Sequence, residues 1–249
     1  MDLPAPATTA IAAPLTPAAR RERRPFHTVM ALAMALVVLV GFSRTVGANL
    51  LHPDVPRPAI LWVHAIVFCA WLVLFVVQSA LPAAGRTAWH RRLGPWAAAV
   101  GVAVPVLGIA TAIAMYRFHV AHDPPPAASP AGLGIPLNDM LSFAVAFGLA
   151  MAWRRRPDRH RRLMVVAMAT LTVAAWARFP GWLVPDPWWY LYVDGLVMVA
   201  AVRDVVVDRR VHPVYLAALP LLGLTQALAM WLALAEPPGW VGALRGLLG

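Results

Sequence analysis

The sequence contains no lysine, only one cysteine and only two glutamates, and charged residues make up 13% of it. Each shortage excludes something. A soluble domain carries about 25% charged residues, so this chain, 61% hydrophobic, is not one. The single Cys69 can form no internal disulfide, and no cysteine pair is present to hold a metal. Cys69 lies inside an apolar run and is expected to be a small buried residue. The missing lysines leave all of the positive charge to arginine, which reads as a bias of composition rather than of function. Neither His-x-x-x-His nor Glu-x-x-His spacing occurs, so no helix carries a metal-ligand pair of that kind.

What the chain has in quantity is apolar runs of about 20 residues, enough to cross roughly 30 Å of hydrocarbon. Its formal charge is +10. Basic proteins often bind nucleic acid, but here the arginines cluster at the ends of the apolar runs. That is the positive-inside pattern of membrane proteins, and it excludes nucleic acid as the partner in favour of the lipid bilayer.

Seven spans are predicted, over 26–43, 59–81, 95–116, 137–153, 163–179, 188–207 and 214–235. The chain is therefore expected to be all-α and polytopic. Residues 1–25, rich in Ala and Pro, are expected to be a disordered cytoplasmic tail, because no convincing signal-peptide cleavage site follows the first run. Residues 26–235 form the transmembrane domain, and 236–249 a short extracytoplasmic tail. The spans at 137–153 and 163–179 are short for a bilayer. With the N-terminus inside, the clusters at 20–24, 86–92, 154–162 and 209–210 all fall on the cytoplasmic side, whereas Arg44, Arg57 and Arg117 stand alone on the other. In a bacterium this places the protein in the inner membrane.

The polar residues suggest an internal repeat. The three inward-running spans carry His64, Asp139 and Asp194 in their outer parts. The outward-running spans begin with His27, His90, His160 and His212, each beside arginine. The fold then reads as one N-terminal helix and three parallel copies of a helical hairpin. The ordered set Gly41-Phe42-Ser43-Arg44, His64 with Trp71 and Gln78, His90-Arg91-Arg92-Leu93, His160-Arg161-Arg162-Leu163, Arg178-Phe179-Pro180 and Arg210-Val211-His212-Pro213 resembles a family of uncharacterised bacterial multi-pass membrane proteins. The resemblance spans about residues 26 to 215 and implies an architecture, not a reaction.

Two groups of residues are candidates for chemistry, although no catalytic residue can be named. The outer group is His64, Asp139, Asp194 and Arg178. Ionisable groups at membrane depth cost roughly 2.5–3.5 kcal/mol each and point to function unless they are paired. Paired, they would be ion pairs of Asp139 or Asp194 with Arg178 beside a hydrogen-bonded histidine. Unpaired, they could bind a small polar ligand, an ion or a lipid headgroup, relay protons, or hold a metal that activates water in a membrane hydrolase. Asn138 and Ser142 add polarity nearby. The inner group is His90 and His160, which stand at equal depth and could be axial ligands of a b-type heme, with flanking arginines on its propionates. The plainer reading is that they face lipid phosphates at the helix mouth. Trp71 and Gln78 share a helix face that reads equally well as packing. Arg203-Asp204 and Asp208-Arg209 read as local charge pairs, while His52, His119 and His122 fall in outer loops and are expected to be solvated.

Overall fold

Apolar side chains in long runs leave the backbone no partner but itself, and in hydrocarbon only a helix satisfies it within one segment. The computed structural model describes residues 25–123 and 129–248, and there the chain is all-α, with no strand among the described residues. Most of the expected tail over 1–25, and the proline run at 124–126, lie outside the described residues. We number the helices α1 (Phe26–Ser43), α2 (Ile60–Ala83), α3 (Thr87–His122), α4 (Gly134–Ala152), α5 (Pro157–Leu171), α6 (Val173–Trp176), α7 (Trp189–Asp208), α8 (Pro213–Ala235) and α9 (Pro238–Leu248).

Five of these are long and apolar enough to cross a membrane: α1, α2, α3, α4 with the 3-10 turn Pro130–Leu133 leading into it, and α8. The other two expected spans differ. At 15 residues α5 is about 22 Å long. It stops because the hydroxyls of Thr170 and Thr172 bond back to the carbonyls of Ala167 and Ala169, and Thr172 N–H takes the Ala169 carbonyl in a tighter turn. The single expected helix over 163–179 is thus α5, a break, and the one-turn α6. The 20-residue α7 carries Asp194, Arg203, Asp204 and Asp208 and is too polar to qualify by composition.

The opposite departure occurs in α3. It runs 36 residues, about 54 Å, so it overshoots the bilayer at both ends. The basic stretch around His90, expected as a loop, forms its first turns, and His119 and His122 ride on its outer overhang. There His119 pairs with Asp123 at 2.8 Å, and His122 stacks on Phe118 with ring centroids 4.3 Å apart.

The helices pack most closely as the hairpins α2–α3 and α4–α5. The core between them is aromatic. Trp71 of α2 meets Phe143 and Phe147 of α4 edge-on at 5.4 and 5.5 Å, and those two rings stack on each other. Gly101 of α3 lets this happen, since a Cβ there would stand 2.5 Å from the Phe147 ring. Almost every residue of α5 from Arg162 to Leu171 is buried, which makes α5 the helix the others surround. Cys69, expected inside the core, faces outward from α2 instead, where hydrocarbon rather than protein would cover it. At the outer end, α9 lies across the 3-10 turn, with Trp240 donating to the Ala131 carbonyl at 3.3 Å and Arg117 to the Leu248 carbonyl at 3.0 Å.

Candidate functional site

Contacts divide the outer group two and two. Asp139 is on α4 and is buried. Its Oδ1 accepts from the Tyr190 hydroxyl of α7 at 2.7 Å and from Asn138 Nδ2 at 3.4 Å, and Asn138 also donates to Tyr190 at 3.3 Å. One turn further along α7, Asp194 accepts from Gln226 Nε2 of α8 at 3.0 Å. The Asp194 carboxyl acts on Tyr190 only electrostatically. These five residues form a polar line across α4, α7 and α8, and every donor in it is neutral.

His64 and Arg178 lie elsewhere. His64 stacks on Phe68 with centroids 3.9 Å apart, its Nδ1 is buried without a hydrogen-bond partner, and the Leu107 backbone lies against its ring. Arg178 acts on His64 electrostatically. The guanidinium donates from Nε to the Thr45 hydroxyl at 3.0 Å and from Nη1 to the Ala174 carbonyl, and it covers the Phe42 ring at 4.3 Å. Among the described residues no ion pair joins Arg178 to Asp139 or Asp194. Nor do any three His, Cys, Asp or Glu among them stand close enough together to hold a metal ion.

On the inner side, the His90 and His160 rings approach to 6.4 Å between centroids at 76°. His160 Nδ1 bonds the Ala150 carbonyl at 2.9 Å, back across the α4–α5 turn. His90 bonds back across the α2–α3 turn in the same way, its Nδ1 lying 3.1 Å from the Gln78 carbonyl. The Gln78 side chain reaches the same nitrogen. Its amide satisfies all its neighbours when the nitrogen faces His90 Nδ1 (2.6 Å) and the His90 carbonyl (3.2 Å) and the oxygen takes the Gly94 N–H (3.2 Å). The two Gln78 groups ask for opposite tautomers of His90: the carbonyl wants a proton on Nδ1, the amide nitrogen a lone pair. The histidine that opens each of the first two hairpin turns thus locks the turn itself.

The third copy does something different. His212 caps α8, its Nδ1 accepting from Val214 N–H at 3.2 Å, and its Nε2 contacts Asp158 of α5 at 3.4 Å. Burial lowers the His212 pKa below its ordinary 6.5, and the nearby Arg162 lowers it further, against the Asp158 contact. Asp158 is also lowered, its slight desolvation being outweighed by the bonds from His212 and the backbone. For His212 the unfolded chain binds more protons below pH 6.5, so stability falls as pH drops from about 6.5 through the lowered folded value. A protonated Nδ1 would also face the Val214 N–H donor to donor. We expect His212→Asn, which keeps a capping acceptor without titrating, to flatten the unfolding midpoint between pH 6.5 and 5. An unchanged pH profile in that variant would refute the assignment. Asp158 adds no pH dependence in that window, because the stability from its lowered pKa is fully present above its ordinary 3.8 and is lost only as pH falls through the lowered value.

The largest polar cluster was not foreseen. Arg162, buried on α5, donates from Nε to Asp204 Oδ2 of α7 at 2.6 Å, from Nη2 to Asp208 at 3.3 Å, and from Nη1 to the Asp158 carbonyl at 2.7 Å. Arg203 reaches Asp204 at 3.2 Å and Asp208 at 3.4 Å. The expected local pair Arg203-Asp204 therefore exists, but the shortest bond to Asp204 comes from 42 positions away.

No known family, no curated protein and no solved structure matches this chain, so its own geometry must carry the functional reading.

Proposed function

We propose that the protein spans a bacterial inner membrane seven times, with its N-terminus cytoplasmic, and binds a proton or a small monovalent cation at Asp139 and Asp194 in the outer half of the bundle. The seven-span reading counts α5 with α6 as one short span and α7 as a polar one, and the arginine clusters at the inner ends of the helices favour the orientation. One observation carries the site: among the described residues two acids at membrane depth are held by neutral donors, while Arg178, expected as their counter-ion, is bonded to Thr45 and Ala174 and lies over Phe42. A carboxylate without a cation at this depth bears the cost of an uncompensated charge, and a bound proton or cation removes it. Tyr190 orients the Asp139 carboxyl and Gln226 the Asp194 carboxyl.

The test is the unfolding midpoint of the detergent-purified protein in sodium, lithium and choline chloride at equal ionic strength, across pH 5 to 9. Wild type should respond to pH or to the small cations beyond what His212 contributes below pH 6.5, and Asp139→Asn should lose that added response while keeping the His212 part. Identical profiles for the two proteins in every salt would end the proposal.

A second reading has one specific support. His90 and His160 bring their rings to 6.4 Å between centroids and would be the pair to hold a b-type heme. Ligation requires Nδ1–H on both rings; the Ala150 carbonyl fixes that tautomer in His160, whereas the Gln78 amide competes against it in His90. A b-type heme would supply one-electron transfer. An air-oxidised and then dithionite-reduced absorbance spectrum decides: a Soret band lost in His160→Ala supports the heme, and a featureless spectrum after expression with ample heme removes it.

A further inference from the structure

Three guanidiniums meet at the inner mouth of the bundle, but only two of them have partners. Arg162 and Arg203 are engaged by Asp204 and Asp208. Arg161, next along α5, lies within electrostatic reach of all four. Among the described residues it has no hydrogen bond, ion pair or ring contact, and its Nε is buried without a partner. Arg161, Arg162 and Arg203 all act electrostatically on His27 of α1 and on Tyr215 of α8. The Phe26 ring lies under Arg203 at 5.3 Å. The nearest other acid on α5, Asp158, is turned to His212.

Among the described residues three cations face two carboxylates, which leaves one positive charge without a paired acid in a half-buried place. We propose that Arg161, with His27 beside it, is the seat of a phosphate monoanion, as in a phosphodiester headgroup. A single such oxyanion balances the cluster, and a guanidinium grips phosphate oxygens with paired charge-assisted bonds. Two sources share this chemistry, an anionic phospholipid and free phosphate. The site is separate from Asp139 and Asp194 and stands or falls independently of them.

The experiment titrates the detergent-purified full chain with phosphatidylglycerol and with a diacylglycerol of the same acyl chains by native mass spectrometry, and follows unfolding in inorganic phosphate against chloride. Saturable binding of one phosphatidylglycerol, absent for diacylglycerol and weakened about tenfold by Arg161→Gln, supports a lipid in the seat. A midpoint raised by phosphate in wild type and not in Arg161→Gln, without selective lipid binding, assigns the seat to free phosphate. Arg161→Lys, which keeps the charge, should retain most of either effect. Wild type showing neither response, or Arg161→Gln binding as wild type does, overturns the proposal. Should Arg161→Gln not fold, the wild-type titrations and Arg161→Lys still decide it.

Discussion

Arg162→Ala is expected to be among the most damaging single substitutions in the chain, costing about 3–5 kcal/mol, the range seen when one partner of a buried ion pair is removed. Asp204 is 2% exposed and takes its shortest bond, 2.6 Å, from Arg162. Without that arginine the carboxylate keeps only the weaker Arg203 contact at 3.2 Å. The same substitution removes the bond to the Asp158 backbone carbonyl in the first turn of α5 and loosens α5 from α7. The pair itself is worth much less than its breakage. Desolvating two charges offsets most of their attraction, so a matched apolar replacement should be nearly neutral. We therefore expect Arg162→Met with Asp204→Leu to recover most of the loss, with Asp208 still held by Arg203 at 3.4 Å. Unfolding by SDS or heat in mixed micelles measures both. Equal losses in the single and double variants would mean that the packing of Arg162, not its charge, sustains this end of the bundle.

That cluster shows where sequence reading stops. The helices were legible because each apolar run is long and ends in arginine or proline, and the observed starts at Phe26, Ile60, Trp189 and Pro213 lie within a residue of those expected. Two elements were not. The first turns of α3 looked like a loop because Gly85, three arginines and Pro95 crowd the stretch, yet proline is tolerated in a long membrane helix when its neighbours hold the register. Gln78 and the Gly94 N–H do so here. The fifth span looked continuous because threonine is permitted in helices; only the back-bonded hydroxyls of Thr170 and Thr172 reveal a break.

The sites divide in the same way. Depth along a helix follows from counting residues, and so Asp139, Asp194, His64 and Arg178 could be ranked together and His90 set opposite His160. Azimuth does not follow, because it depends on which neighbour each face meets. His64 and Asp139 share a depth but face different helices, α3 and α7. Tyr190 and Gln226, the donors that hold the two acids, belong to no motif that would single them out in the sequence. One signal was available: Arg162 lies mid-motif in His160-Arg161-Arg162-Leu163, two residues inside its neighbour's helix mouth, while Asp204 and Asp208 sit one turn apart on the helix that returns to the same level.

Asp139 offers the sharpest separation of function from stability. Asparagine in its place preserves the shape and keeps an oxygen that accepts from Tyr190, so Asp139→Asn should fold at least as well as wild type while losing all response to pH or small cations at this site. Leucine preserves roughly the volume but leaves the Tyr190 hydroxyl with Asn138 alone, and should cost about 1–3 kcal/mol, the penalty of an unsatisfied buried polar group. A carboxylate that acts only as a structural acceptor predicts the same order of stabilities and no ion response in any of the three proteins. One that binds a proton or cation predicts a response in wild type alone. Tyr190→Phe supplies the cross-check. In wild type it removes the 2.7 Å donor from Asp139 and should shift the ion response, whereas in the Asp139→Asn background it should change stability and nothing else. An ion response that survives Asp139→Asn unchanged ends the two-acid site, even where Asp194→Asn, at the acid held by Gln226, abolishes it.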